Sequence, residues 1–301
     1  MEGANKTNIY YSPLRYPGGK NCIFPFVANL FYENCLIGVN YAEPYAGGSG
    51  LALRLLVEGY VERIYINDLD RAIYAIWFSI LNRTEEFCEW IQGIDVSISN
   101  WRKYKKMQGD VDSLSLFEVA KSSFFLNRTN ISGVIKGGVI GGKDQTGKYR
   151  MDARFNKVDL IGRIQKVAKL KDRIILSNID GLTFISNLNR KREDIFIYLD
   201  PPYYQKGADL YMNFYSAKDH RKLSKVVHSL NKRWMVSYDN HDFIWDLYAE
   251  YRRVLYKLSQ SASNRIGDEV LVFSDELRFD ESLGILKSAT SFERHQRQCD
   301  L

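Results

Sequence analysis

The chain has little of what staples, ligates or spans. Its four cysteines, Cys22, Cys35, Cys88 and Cys299, form no C-x-x-C pair and follow no secretory signal. That excludes a disulfide framework and leads us to expect reduced thiols in a cytoplasmic protein. His220, His228, His241 and His295 lack ligand spacing with any cysteine pair, so no zinc or other metal site is expected. No run approaches the roughly 18 apolar residues that a membrane helix needs, and the first residues carry no hydrophobic targeting core. Internal repeats and the G-x-G-x-x-G fingerprint are also missing, which disfavours solenoids and a pyrophosphate cradle.

What is present is an ordinary globular composition: 301 residues, 45% hydrophobic and 26% charged. This allows one large domain or a core with a smaller insertion. The net charge of +6 is unevenly spread. Trp101 to Arg173 holds 17 Lys and Arg against 7 Asp and Glu, so the rest of the chain is net −4. A basic stretch beside a mildly acidic body suggests a module that faces a polyanion.

One stretch organises the rest. Ile195-Phe196-Ile197-Tyr198-Leu199 reads as a buried central strand, and it stops at Asp200-Pro201-Pro202-Tyr203-Tyr204. The two prolines have fixed φ and no N–H, so the ladder ends there in a stiff corner. In open α/β sheets that edge is where ligands bind. Such a corner suits transfer to an exocyclic amine, whose lone pair is withdrawn into its ring. Asp200 and the Pro201 carbonyl, by accepting both N–H bonds, would free that lone pair for attack. Tyr203 would stack on the base, a contact worth roughly 1–3 kcal/mol.

A second element precedes it. Asn40 to Glu43, the turn Pro44-Tyr45-Ala46-Gly47-Gly48-Ser49-Gly50 and a helix over Leu51 to Glu58 form half a nucleotide-binding βαβ unit. The missing side chains of its glycines let a ligand approach the backbone. Arg63 to Asn67 is the next strand, and Asp68 follows Gly48 by 20 residues, the separation of an acid that binds ribose hydroxyls. Without a phosphate fingerprint, a nucleoside with an amino-acid tail fits best, and S-adenosylmethionine is that molecule. Upstream, Pro17-Gly18-Gly19-Lys20 opens a helix whose face is Ile23, Phe26, Val27, Leu30 and Phe31, and would offer N–H groups and an ammonium to a carboxylate.

Leu69 to Trp90 reads as one helix. More than a hundred residues separate it from the Asp200 strand, more than a crossover needs, so residues 85–169 are expected to form an inserted domain, with 1–84 and 170–301 the main one. The insertion carries the basic, aromatic stretch Trp101 to Lys106, a helix through Phe117 to Phe125, and a glycine-rich ribbon from Gly137 to Gly142. Arg128, Asn130, Ser132, Lys136, Lys143 and Arg150, with Gln145, Lys148 and Tyr149, are the residues expected on DNA, because such side chains meet phosphates and base edges. Further on come a helix near Leu160 to Leu170, a strand at Arg173 to Ser177 followed by Ile179 and Asp180 at the cofactor adenine, and a loop with Tyr204, Gln205, Lys206 and Tyr211 closing over substrate. A helix over Lys218 to Leu230 and a strand at Trp234 to Tyr238 follow. A hairpin around Ser261 to Gly267 joins Val254-Leu255-Tyr256 to Val270 through Phe273, and a polar, frayed end begins at Thr290.

In this order, Arg15-Tyr16-Pro17-Gly18-Gly19-Lys20, Glu43-Pro44-Tyr45-Ala46-Gly47-Gly48-Ser49-Gly50, Asn67-Asp68 and Asp200-Pro201-Pro202-Tyr203 resemble the D12 class of Dam-like DNA adenine-N6 methyltransferases, in its α arrangement. Asn127-Arg128-Thr129, Ser132-Gly133, Ser237 to Asp242, Ser263-Asn264 and Glu269 agree with it too. The resemblance implies a class I S-adenosylmethionine-dependent α/β fold, a seven-stranded Rossmann-like mixed sheet with a mostly helical target-recognition insertion. It also implies methylation of a flipped adenine at N6 in double-stranded DNA. Tyr16, Lys20, Asp68 and Asp200 would line the cofactor pocket, Glu43, Pro44, Tyr45 and Gly47 its methionine part, Ile179 and Asp180 its adenine; Asp200, Pro201 and Tyr203 would hold the base. A bacterial or phage enzyme is implied, monomeric or weakly dimeric, with a cognate restriction endonuclease as partner. Tyr16 and Tyr45 stand where Trp and Phe are usual, and the ribbon has no counterpart. The corner by itself also suits cytosine N4, an RNA adenine, a protein glutamine, or an inactive DNA-binding relative.

Overall fold

The computed structural model describes residues 9–205, 215–260 and 265–295. Lys206, Tyr211 and Ser261 through Asn264, for which a closing loop, a turn and a family motif are expected above, lie outside the described residues.

Eight strands alternate with ten helices among the described residues. The strands are β1 (Asn40–Glu43), β2 (Ile64–Asn67), β3 (Ile174–Ser177), β4 (Ile195–Leu199), β5 (Trp234–Asp239), β6 (Arg253–Gln260), β7 (Arg265–Phe273) and β8 (Thr290–Phe292). The helices are α1 (Phe24–Glu33), α2 (Gly50–Val57), α3 (Arg71–Asn82), α4 (Thr84–Gly93), α5 (Ile98–Met107), α6 (Leu116–Thr129), α7 (Lys157–Ala168), α8 (Gly181–Asn189), α9 (Ala217–His228) and α10 (Asp242–Leu247). Two compact units emerge: Met1–Cys22 with Gly47–Arg54 and Arg71–Leu176, and Ile23–Ala46 with Leu55–Asp70 and Ser177–Leu301.

The sheet runs β3-β2-β1-β4-β5-β7-β6-β8. Pairs β2-β1, β1-β4 and β4-β5 are parallel, while β5-β7, β7-β6 and β6-β8 are antiparallel. Every residue of β2, β4 and β5 is buried, as the continuous apolar runs of two-sided strands require. From β1 the chain turns to β2 and β3 on one side and later fills β4 and β5 on the other, so the switch point lies between β1 and β4. Helix α1 lays Phe26, Val27, Leu30 and Phe31 into the core, where the Phe31 ring meets Phe196 at 5.0 Å. The sheet exceeds the expected seven strands because the C-terminal region is not wholly frayed. Phe292, buried and 4.9 Å from the Trp245 ring, anchors β8 against β6.

The first unit is helical around an aromatic cluster in which Phe87 meets Trp90 at 5.4 Å and Phe124 at 5.2 Å. The single helix expected over Leu69 to Trp90 is two helices. Thr84 turns its hydroxyl back to the Ile80 carbonyl at 2.7 Å, and Arg83 leaves helical geometry at φ −135°, ψ 42° with its guanidinium over the Phe117 ring. Helix α6 begins in a capping box, Ser115 with Glu118.

Candidate active site

In the second unit, the corner after β4 is gripped from its neighbour. Ser237 on β5 donates its hydroxyl to Asp200 Oδ1 at 2.7 Å, and Tyr198 lies 2.8 Å from the same serine oxygen. An ionised carboxylate only accepts, so the single serine proton goes to Asp200 and Tyr198 must donate to Ser237. Beyond the prolines, Asp239 accepts the backbone N–H of Tyr204 at 3.0 Å and of Gln205 at 2.9 Å. Tyr203 is only 7% exposed. Burial pushes its phenol well up, helped by Glu269 and then Asp200, while Tyr256 donates to Glu269 at 2.8 Å. The Tyr204 ring, by contrast, belongs to a local cluster and stacks on Phe243 at 4.6 Å.

Across the switch point, Glu43 ends β1 almost fully buried and accepts from Tyr41 at 3.0 Å. Burial pushes the Tyr41 phenol well up, followed by Glu43, with Asp200 also contributing, so the two carboxylates act on one locality. Asn67 is the bracket of this edge. Fully buried, it donates to the carbonyls of Pro44 and Ile179, both at 3.0 Å, and accepts the Ile179 N–H at 3.0 Å. It thereby fixes the loops after β1 and β3. Asp68 closes a turn by accepting the Asp70 N–H at 2.9 Å, and Asn178 donates to the Asp68 carbonyl at 2.7 Å. Asp180 caps α8 through the Thr183 N–H at 3.0 Å. The Tyr45 hydroxyl meets that of Tyr215 at 3.0 Å. These groups fit a cationic nucleoside: an acid after β2 suits hydroxyls, carboxylates at the end of β1 and just after β4 suit a positive centre, and polar backbone is held by Asn67.

In the first unit, Tyr16-Pro17-Gly18-Gly19 is a hydrogen-bonded turn, with Gly18 at φ +74° and the Gly19 N–H on the Tyr16 carbonyl at 3.2 Å. Buried Lys20 reaches back to the Gly18 carbonyl at 3.1 Å. A side chain on Gly47 would stand 2.6 Å from Tyr16 Cε1, and one on Gly48 2.9 Å from Tyr16 Cβ. These glycines therefore make room for a tyrosine ring, a neighbour that the sequence does not announce. Trp77 pins the turn by donating to the Gly47 carbonyl at 2.9 Å.

The residues expected on DNA divide. Lys136, Lys143 and Arg150 are exposed, as is Tyr149 at 60%, and Ser132 is half-buried at φ +55°. Arg128 and Asn130 instead turn inward. Arg128 donates to the carbonyls of Arg154 at 2.7 Å and Pro13 at 3.3 Å. Burial, with Arg15 and Arg163 nearby, pushes it down to about 9, so it stays charged at neutral pH. Asn130, fully buried, accepts from Trp101 at 2.7 Å and donates to Val134 and Ile135 carbonyls at 2.9 Å. The base or phosphate readout expected of these two thus gives way to support of the loop, because Arg128 Nε and Nη1 are directed to backbone carbonyls and the Asn130 amide to Trp101 and two carbonyls. Gln145 likewise holds the ribbon, donating to the Ile140 carbonyl at 2.8 Å and accepting the Met151 N–H at 2.9 Å. The roles of Asp239 and Asn67 were missed from sequence; the signal available was their place at the carboxyl ends of β5 and β2.

A family model described as D12 class N6 adenine-specific DNA methyltransferase matches residues 16–261. The Type II methyltransferase M.CviBI of Paramecium bursaria Chlorella virus NC1A is 22% identical over 262 residues, covering 85% of this chain and 95% of that protein. The family match runs from the Tyr16 turn through the Asp200 corner and spans well over half of the chain: the protein belongs to the D12 class of N6 adenine-specific DNA methyltransferases.

Proposed function

We propose that this enzyme methylates N6 of an adenine extruded from duplex DNA, with S-adenosylmethionine as donor. The observation that carries the reading is Asp200, backed by Ser237, on a two-proline corner beside the switch point. S-adenosylmethionine, when bound, supplies an electrophilic methyl group on a positively charged sulfur. Glu43 and Asp200 provide negative potential for that charge, Asp68 receives ribose hydroxyls, and Ile179 with Asp180 edges the adenine. Tyr16, Lys20, Pro44, Tyr45 and the backbone around Gly47 are retained as cofactor contacts by their places in the family motifs.

Chemistry on a stacked base requires flipping, at roughly a few kcal/mol. Asp200 and the Pro201 carbonyl then accept the two amino N–H bonds, which turns the nitrogen lone pair outward, and Asp200 receives the proton that the methylated nitrogen sheds. Tyr203 forms the aromatic wall. Positioning and aimed acceptors supply the rate. In the basic stretch, which we take as the target-recognition module over 85–169, Lys136, Lys143 and Arg150 meet the DNA, with Ser132 at the loop they flank, while Arg128 and Asn130 hold that loop. The Type II name of the viral relative is consistent with a restriction endonuclease that reads the same site.

Incubation with methyl-labelled S-adenosylmethionine and unmethylated genomic DNA, then digestion to nucleosides, tests this. Label is expected in N6-methyladenine alone, and Asp200→Ala should abolish transfer while cofactor binding stays measurable. Label in a cytosine, or near-normal turnover by the variant, refutes the assignment.

A further inference from the structure

Strand β5 contributes two side chains to the corner, and they hold different parts of it. Ser237 and Asp239 are two residues apart, so they share one face of the sheet. Leu199 pairs with Val236, which brings the next residues, Asp200 and Ser237, alongside each other. Ser237 is fully buried and Asp239 is 4% exposed. Tyr198, on β4 two residues before Asp200, donates to the serine oxygen, so the serine proton goes to the carboxylate.

Asp239 solves a separate problem. Pro201 and Pro202 have no N–H groups, so their own backbone cannot be tied to the sheet by donation. Asp239 takes the N–H groups of Tyr204 and Gln205, one on each carboxylate oxygen. Its own strand is held in register, with Asp239 opposite Glu269 on β7. A carboxylate bound to two consecutive amides is a strong tether.

We propose that Ser237 and Asp239 form a two-point clamp that positions the methyl acceptor: Ser237 sets the plane of the Asp200 carboxylate, and Asp239 sets the direction of the Pro201 carbonyl by fixing the chain beyond Pro202. This rests on the reading of Asp200 and Pro201 as the amine's acceptors. Both are then positioning residues, whose loss is felt in turnover and not in cofactor binding. Misplacement of about 1 Å at such a site costs roughly 100-fold in rate.

The test compares Ser237→Ala, Asp239→Ala and Asp239→Asn with the unaltered enzyme on unmethylated genomic DNA and labelled S-adenosylmethionine. Ser237→Ala is expected to lower kcat about tenfold and Asp239→Ala on the order of 100-fold. Asp239→Asn, which keeps one acceptor oxygen, should recover part of the loss. The Kd for S-adenosylmethionine should stay within about twofold, since a positioning loss separates kcat from binding. Amide hydrogen exchange of residues 199–205 should accelerate more than about tenfold in Asp239→Ala, whatever the methyl transfer, because the two N–H groups lose their acceptor. Unchanged exchange, or kcat equal to the unaltered enzyme in both alanine variants, overturns the clamp. If Asp200→Ala still methylates while exchange responds as expected, the functional reading fails and the clamp stands as a tether of that loop.

Discussion

Substituting Gly47 by Ala discriminates between two reasons for a glycine. If the residue is bare to admit a ligand, the variant loses cofactor affinity and keeps its stability. The structure gives the other reason: an added Cβ would lie 2.6, 2.7 and 2.8 Å from Cε1, Cζ and Cδ1 of Tyr16. Gly47 also sits at φ +46°, where a side chain costs about 1 kcal/mol. The ring clash adds the 1–3 kcal/mol typical of overpacking. The Trp77 bond to the Gly47 carbonyl opposes relief by backbone movement. Together these predict destabilisation of about 3 kcal/mol and a fall in Tm of roughly 6 °C. The decisive measurement is a double-mutant cycle with Tyr16→Ala, read by thermal and urea unfolding. Removing the ring abolishes the clash but leaves the φ penalty, so the double variant should be about 1–3 kcal/mol more stable than the sum of the single losses. Additivity within about 0.5 kcal/mol refutes the reasoning, as does a Gly47→Ala protein that melts like the unaltered one.

Three further outcomes are expected. Asn67→Ala strands buried backbone groups at Pro44 and Ile179 and should cost about 3–5 kcal/mol in unfolding free energy, with a weaker Kd for S-adenosylmethionine; a loss under 1 kcal/mol contradicts the bracket. His220 is fully buried, and burial lowers its pKa from 6.5 to about 4. Its folded pKa lies below the unfolded value, so the unfolded chain binds the extra proton between those limits. Its contribution of about 3 kcal/mol is complete above pH 6.5 and lost toward pH 4, about 2 kcal/mol of it by pH 5. His220→Gln should flatten that part of the stability profile, and an unchanged slope contradicts the assignment. Replacing Lys136, Lys143 and Arg150 by Ala should reduce the slope of log K for DNA against log salt by about 2.7, if each meets one phosphate, whereas Arg128→Ala should lower Tm and leave that slope alone.

The parts of this molecule that could be read from its sequence are those whose signal is local. The run Ile195 to Leu199 is apolar at every position because β4 is covered on both faces, and two prolines end it without help from elsewhere. The amphipathic face of α1 follows from its own spacing. What escaped is what depends on a partner distant in the chain. Gly47 looks like a ligand cradle until Tyr16, thirty-one residues earlier, is seen over it. Arg128 and Asn130 carry the side chains of a DNA reader, yet their acceptors include Pro13 on one side and Arg154 on the other. A cation or amide is assigned to a surface by type alone, and burial reverses that assignment when carbonyls are there to satisfy it. The role of Asp239, which lies inside the stretch from Ser237 to Asp242, was hidden for the converse reason. An acid at a strand end is ordinary until it meets donors without an acceptor, and in this corner the N–H groups of Tyr204 and Gln205, just beyond the two prolines, are the ones that Asp239 accepts.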